Sequence, residues 1–124
     1  MNIKIVALIV VSVCMSAVAQ LLLKMGMSHP KVQRAIELHD LGDLLGTIIS
    51  NGSVWAGLSL YLLGAALWLI VLAKVEVSFA YPFVSLGFLL TMVFGLVILH
   101  ESVGIVRAGG TILVILGVLL IARS

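Results

Sequence analysis

Four long apolar runs divide the chain, and each contains few strongly polar residues. They cover approximately residues 3–23, 54–73, 78–99 and 103–122. An α-helix rises about 1.5 Å per residue and the hydrocarbon core of a bilayer is about 30 Å thick. Each run is therefore long enough to cross the bilayer, and the pattern predicts four transmembrane helices.

The composition supports a membrane protein. Of the 124 residues, 63% are hydrophobic and 10% are charged, and the mean hydropathy is +1.35. A water-soluble domain of this size needs more polar surface than this composition supplies. We predict an all-α membrane protein, with residues 1–124 forming a single four-helix transmembrane domain.

The basic residues are spread almost evenly over the two sides that four spans would create. One side holds Lys4, Lys74 and Arg123, and the other holds Lys24, Lys31, Arg34 and Arg107. Such a small difference does not determine orientation by the positive-inside rule. The chain is thus a candidate for antiparallel, dual-topology dimers, and seven scattered basic residues form no patch for nucleic acid.

The first loop, residues 25–53, is the only long one and predicts an interfacial amphipathic helix. Asp40 can cap this helix, and Asn51-Gly52 can end it. Its apolar residues at one face are Leu41, Leu44, Leu45, Ile48 and Ile49. Ser28-His29-Pro30 indicates a further helix start, because proline is favoured in the first helical turn. We expect this segment to lie on the lipid headgroups.

A polar stripe in the first run is the best indication of function. Ser16, Gln20 and Lys24 are spaced four residues apart, and Ser12 extends the series by one turn. Residues at this spacing lie on one face of a helix. Polar groups within a membrane usually face a partner helix or a cavity, and they often mark a substrate path. Lys24 could also extend to the interface, and Gln20 could serve helix packing.

The second run predicts a packing helix, and the third contains a possible break. Tyr61 and Trp68 stand among small residues that let helices approach closely. In the third run, Pro82 removes a backbone donor beside Tyr81. The proline either bends a cavity-lining helix or occupies an ordinary first turn. Tyr81 is either an interfacial residue or a substrate contact.

The end of the third run and the fourth run supply the remaining candidates. Glu101, next to His100, could pair with Arg107 or cap the fourth helix. Gly110 and Gly117 lie two helical turns apart on one face. This spacing favours close helix packing, either between protomers or within one protomer.

Several short motifs resemble the small multidrug resistance (SMR) transporters of the EamA-like drug/metabolite superfamily. The chain is most similar to the paired small subunits that flip undecaprenyl-phosphate-linked aminoarabinose. The matching features are the residues 67–72, Val77, Ala80-Tyr81-Pro82, Ser85-Leu86, His100-Glu101, the glycine pattern from Gly110 to Val118, and the Ser16, Gln20, Lys24 series. The resemblance covers nearly all of the chain except the first loop. It implies an SMR-like bundle in a bacterial inner membrane that works as a homodimer or heterodimer.

Two departures distinguish this chain from the drug-exporting members. Those proteins carry a glutamate in the first span, and alignment on Lys24 places Ser16 at that position. The aromatic residue expected three positions after Tyr81 is Val84. Without a carboxylate inside a span, a desolvated cation or proton has no evident carrier.

The leading functional hypothesis is therefore a flippase, or a flippase subunit, for a polyprenyl-phosphate-linked sugar or a related lipid carrier. Ser16, Gln20 and Lys24 would bind the headgroup, with Arg107 as a second phosphate contact. Tyr81, His100 and Glu101 are further candidate contacts. The lipid tail would remain in the surrounding membrane lipids.

Two other hypotheses remain. One is a proton-coupled exporter of small cations, drugs or metabolites, in which Glu101 or His100 replaces the missing carboxylate. The other is a non-transporting partner of a glycosyltransferase or larger transporter, with the first loop as its docking element. The sequence contains no nucleophile–base set, metal-ligand cluster or phosphate-binding glycine loop, so we predict neither an enzyme nor a cofactor.

Overall fold

A computed structural model describes residues 3–124, which are helical apart from their connections. The helices are α1 (Ile3–Met27), α2 (Pro30–Glu37), α3 (Leu41–Ile49), α4 (Gly52–Leu72), α5 (Val77–Ala80), α6 (Leu86–Val97) and α7 (Ile105–Ala122), with a 3₁₀ helix (Tyr81–Ser85) between α5 and α6. Four segments are long and apolar enough to cross a membrane: Ile3–Met27, Gly52–Leu72, Val77–Val97 and Ile105–Ala122. The predicted all-α, four-span class is confirmed, although α1 continues past residue 23 to Met27.

The first loop forms two short helices whose starts follow the predicted signals. His29 is the N-cap of α2, where its side chain accepts a hydrogen bond from a backbone N–H, and Pro30 opens the helix. Asp40 is the N-cap of α3, and its carboxylate accepts the N–H of Asp43 at 3.2 Å. Side-chain acceptors at these positions satisfy N–H groups that have no partner within the helix.

Asn51, predicted to help end the loop helix, lies two residues beyond its last residue and also begins the next helix. Helix α3 already ends at Ile49, and Asn51 is the N-cap of α4. Its side-chain oxygen accepts the N–H groups of Ser53 and Val54 at 3.1 and 3.3 Å. Asparagine is a favoured N-cap residue because its side-chain oxygen reaches backbone N–H groups two or three residues ahead. An asparagine between two helices can therefore mark the start of the second helix as well as the end of the first.

Helices α1 and α4 pack closely because glycines face large side chains across their interface. A Cβ at Gly57 would lie 2.9 Å from Leu23 Cγ, and one at Gly26 would lie 2.7 Å from Val54 Cγ2. Polar side chains join the same two helices near their connection. Ser53 Oγ donates to the Leu22 carbonyl at 2.6 Å. Asn51 Nδ2 donates to the Gly26 carbonyl at 2.7 Å, which satisfies one of the last carbonyls of α1.

The third span is interrupted at Pro82. A four-residue helix, α5, leads into the 3₁₀ helix that contains this proline, and regular α-helix resumes only at Leu86. Proline has no backbone N–H to donate to the preceding turn, so the α-helical pattern breaks there. The Phe79 and Phe83 rings bracket the break, with centroids 5.3 Å apart. The proline therefore lies beyond the first turn of the span, within a 3₁₀ interruption of its α-helix.

Helix α7 lies at the periphery of the bundle. It contacts the 3₁₀ helix and α6, and Val118 is its one buried residue. The central apolar cluster consists of Ile9, Val13, Val71, Ala80, Phe83 and Val118. Helix α4 meets the third span mainly at their connection, and α6 packs on α1 instead. The separation of α4 from α6 opens a groove between them.

Candidate functional site

The main cavity is a groove between α4 and α6, with α1 along its floor. Its volume is about 590 Å³, which is within the range of sites that bind small molecules. The residues that line it are Ser12, Val13, Ser16, Ala17, Gln20, Leu21, Lys24, Tyr61, Gly64, Ala65, Trp68, Tyr81, Val84, Gly87, Phe88, Thr91, Phe94, Leu99 and Glu101. Helix α7 contributes none of them.

The predicted polar stripe lies along this groove. Ser12, Ser16, Gln20 and Lys24 all line it. Eight residues of α-helix separate Ser16 from Lys24, a rise of about 12 Å. The stripe thus extends from the middle of α1 to its last turn, where Lys24 is the basic residue.

The four polar residues have different environments. Ser12 is buried, and its hydroxyl donates to the Gly64 carbonyl at 2.9 Å, so it joins α1 to α4. Within residues 3–124, the side chains of Ser16, Gln20 and Lys24 form no hydrogen bond or ion pair. Gln20 and Lys24 are also exposed. Their polar atoms are therefore available to a ligand in the groove.

Aromatic side chains form the walls of the groove. Tyr81, predicted as a possible contact, lines it and is 63% exposed. Tyr61 and Trp68 also line it, although the sequence indicated only a packing role for them. Tyr61, Ala65 and Trp68 have the i, i+4, i+7 spacing of one helix face. This spacing could have identified a second groove-facing stripe on α4.

Glu101 lies at the same end of the groove as Lys24, because alternating spans place the ends of α1 and α6 on one side of the bundle. The chain reverses at His100, which has a left-handed φ of 55°. The Glu101 N–H then donates to the Gly95 carbonyl at 2.8 Å. The reversal directs the Glu101 side chain back over α6 and into the groove lining.

Neither sequence-based interpretation of Glu101 describes its contacts. Within the described chain it forms no ion pair with Arg107, whose guanidinium donates to the Ser102 carbonyl at 3.3 Å. It also does not cap α7, because the N-cap is Gly104 and no side chain caps that end. The tight reversal at His100 turns the carboxylate towards α6 instead. Arg107 and His100 are absent from the groove lining.

Gly110 and Gly117 lie on α7, away from the groove. A Cβ built at either position meets no atom of the protomer within 4 Å. Across residues 3–124, no group of three or more His, Cys, Asp or Glu side chains is placed to hold a metal ion. The chemistry gathered in the groove is therefore that of hydroxyl, amide, ammonium, carboxylate and aromatic groups.

Four apolar spans, three of which line a partly polar groove, define a multi-pass membrane protein. The model of the EamA-like transporter family matches residues 45–123. The chain belongs to this family. The match includes the three C-terminal spans, whereas the polar stripe lies before it on α1.

Curated relatives extend the similarity over α1. A protein of Proteus mirabilis strain HI4320, named "Probable 4-amino-4-deoxy-L-arabinose-phosphoundecaprenol flippase subunit ArnF", is 34% identical over 118 residues, which cover 93% of this chain and 89% of the relative. The ArnF subunit of the same name from Photorhabdus laumondii is also 34% identical, over 91% of this chain and 92% of its own length. A protein of Enterobacter sp. strain 638, named as the corresponding ArnE subunit, is 44% identical over 56% of this chain and 67% of its own length. No solved structure matches the chain.

Proposed function

We propose that this protein is a flippase, or one subunit of a flippase, that moves a polyprenyl-phosphate-linked sugar across the bacterial inner membrane. The observation that carries the proposal is the series Ser16, Gln20 and Lys24, whose side chains line an open groove and have no partner within the described chain. Polar groups without partners are unfavourable at membrane depth unless they meet water or a ligand. The printed names of the relatives add support, since they describe flippase subunits for a lipid-linked sugar phosphate.

The groove suits the headgroup of such a lipid. A phosphate accepts strong charge-assisted hydrogen bonds from an ammonium group such as Lys24. Gln20 and Ser16 continue the series of donors towards the middle of the membrane. Tyr61 and Tyr81 supply hydroxyl groups and flat rings for a sugar. Arg107, in the first turn of α7 on the Lys24 side, would receive the phosphate after it leaves the groove.

The shape of the groove separates headgroup from tail. Gln20, Tyr61 and Phe88 line the groove and are exposed, so the groove is open to the surroundings of the protomer. A volume of about 590 Å³ accommodates a sugar phosphate but not a long polyprenyl chain. The tail would stay in the lipid while the headgroup follows the polar stripe.

A second subunit would bind α7. Gly110 and Gly117 share a helix face with Val106, Leu113 and Leu120, at alternating spacings of four and three residues. These three side chains are 86%, 70% and 72% exposed. Glycines between large apolar residues let a second helix approach closely. We propose that this face joins two small subunits, either two copies or two related chains, whose rocking alternates access to the groove.

Two substitutions test the proposed path. Lys24→Ala should reduce flipping at least tenfold because the phosphate loses its charged partner, and Gln20→Leu should reduce it less. Flipping is measured in proteoliposomes by the reaction of undecaprenyl-phosphate-linked aminoarabinose with an amine reagent that cannot cross the membrane. Lys74→Ala, in the exposed connection after α4, is the matched control. Full flipping by both groove variants would contradict the proposal.

Glu101 lies in the groove lining, and this position favours a second candidate function, the export of cations in exchange for protons. A carboxylate that faces a binding groove could exchange a proton for a cation. In that case, addition of a quaternary ammonium compound to the detergent-solubilised protein should release protons. Glu101→Gln should abolish the release, whereas Glu76→Gln, outside the groove lining, should not.

A further inference from the structure

Two opposite charges, Lys24 and Glu101, lie at one end of the groove, which we call the groove mouth, and they form no ion pair with each other. Lys24, in the last turn of α1, and Glu101, just beyond α6, both line the groove at the same side of the bundle. No ion pair within 4 Å joins them, and neither has another ionic partner in the described chain. Opposite charges near a low-dielectric region attract each other strongly. Their separation therefore depends on the structure that holds each side chain.

The backbone around Glu101 positions its carboxylate over α6. The left-handed turn at His100 and the hydrogen bond from the Glu101 N–H to the Gly95 carbonyl fix the base of the side chain. Glu101 Oε2 then lies over α6, where a Cβ at position 95 would be only 2.6 Å from it. Any residue other than glycine at position 95 would displace the carboxylate. Gly95 thus leaves space for the Glu101 carboxylate in the groove lining, where the other charged residue is Lys24.

We propose that the groove mouth binds a zwitterionic headgroup, with Lys24 at its phosphate and Glu101 at a protonated amino group on its sugar. This inference rests on the proposed function and adds the recognition of an amine. A carboxylate binds an ammonium group through charge-assisted hydrogen bonds. A sugar without the amine leaves Glu101 unpaired, so the site discriminates against it. The printed names of the relatives support this assignment, since the 4-amino-4-deoxy-L-arabinose phosphate that they contain carries both charges.

Binding of two lipids that differ only at the amine tests the role of Glu101. The probes are undecaprenyl-phosphate-linked 4-amino-4-deoxy-L-arabinose and its N-acetyl derivative, titrated into the full-length protein in nanodiscs and quantified by native mass spectrometry. The wild type should bind the amine at least tenfold more tightly than the N-acetyl form. Glu101→Gln should remove this preference and leave the affinity for the N-acetyl form within twofold of the wild type.

Further variants separate this inference from the proposed function. Gly95→Ala should reduce the preference for the amine, because the added Cβ displaces the carboxylate. Glu76→Gln, an acidic residue outside the groove lining, should retain the preference. Lys24→Ala should weaken both lipids equally, since both carry the phosphate.

Three results would overturn one or both ideas. If Glu101→Gln keeps the preference for the amine, or lowers the affinity for both lipids to the same extent, Glu101 does not bind the amine. The flippase proposal would then remain. If the wild type binds both lipids with equal affinity, recognition of the amine is excluded, and the flippase proposal again remains. If the wild type binds neither lipid, the proposed function fails together with the inference.

Discussion

The α1–α4 pair and α7 are all apolar transmembrane helices, yet they differ sharply in how much of their surface the protomer covers. Helix α1 buries six residues and α4 buries four, whereas α7 buries Val118 alone. At the α1–α4 interface, Gly57 has no space for a Cβ beside Leu23. On α7, the space beside Gly110 is open. The same residue type therefore marks a completed contact in one region and an uncovered surface in the other.

The difference shows that hydrophobicity does not decide which membrane helices pack within a protomer. Lipid tails are as apolar as leucine, so close fit and interhelical hydrogen bonds drive association in a bilayer. Helices α1 and α4 have both, through their glycines and through the bond from Ser12 to Gly64. Helix α7 has a regular glycine-containing face that no part of the described protomer covers. We expect this face to pack against another subunit.

The largest effect is expected from a bulky side chain at the tight α1–α4 interface. Gly57→Val should destabilise the monomer by about 1–3 kcal/mol, because its Cβ would meet Leu23 and the Ala19 carbonyl. Unfolding in a titration with denaturing detergent measures the change. Gly109→Val on α7, where an added Cβ meets nothing within 4 Å, is the control. Equal stability of the two variants would show that the α1–α4 contact is looser than described.

A second change should affect association and leave the monomer intact. Gly110→Val would place a branched side chain on the proposed subunit face and should weaken dimerisation about tenfold, or about 1.4 kcal/mol. Energy transfer between labelled protomers in liposomes measures association, and detergent unfolding measures the fold. Gly109→Val lies about 100° around the helix and should leave association unchanged. Loss of monomer stability in Gly110→Val, without loss of association, would contradict the assignment of this face.

The smallest expected effect concerns the hydrogen bond between α1 and α4. Ser12→Ala removes the donor to the Gly64 carbonyl and should cost about 0.6 kcal/mol, the average for interhelical hydrogen bonds in membranes. Because Ser12 already has a protein partner, lipid binding should change less than in Lys24→Ala. Ser59→Ala, an exposed position on α4, is the control for the detergent unfolding measurement. A larger loss of lipid binding in Ser12→Ala than in Lys24→Ala would assign Ser12 a direct contact.

Local signals in the sequence predicted the elements that depend on neighbouring residues. Asp40 caps α3, as expected, and α2 begins at the predicted Ser28-His29-Pro30 signal, because caps and first-turn prolines act over only two or three residues. The series from Ser16 to Lys24 predicted a shared face for the same reason. Glu101 was different, since its position depends on a left-handed turn at His100, a residue type that adopts such a turn only occasionally. No sequence pattern predicted the chain reversal at His100.

Apolar runs, helical spacing and caps in the sequence by themselves determined the four spans, the polar stripe and the helices of the first loop. These features follow from interactions within one helix or between helix and lipid, whose range is a few residues. Tertiary structure alone decided that α4 and α6 stand apart over α1, that Tyr61 and Trp68 face the resulting groove, and that Glu101 shares its mouth with Lys24. Those relations depend on the fit of side chains far apart in the chain, and spacing along a sequence does not encode that fit.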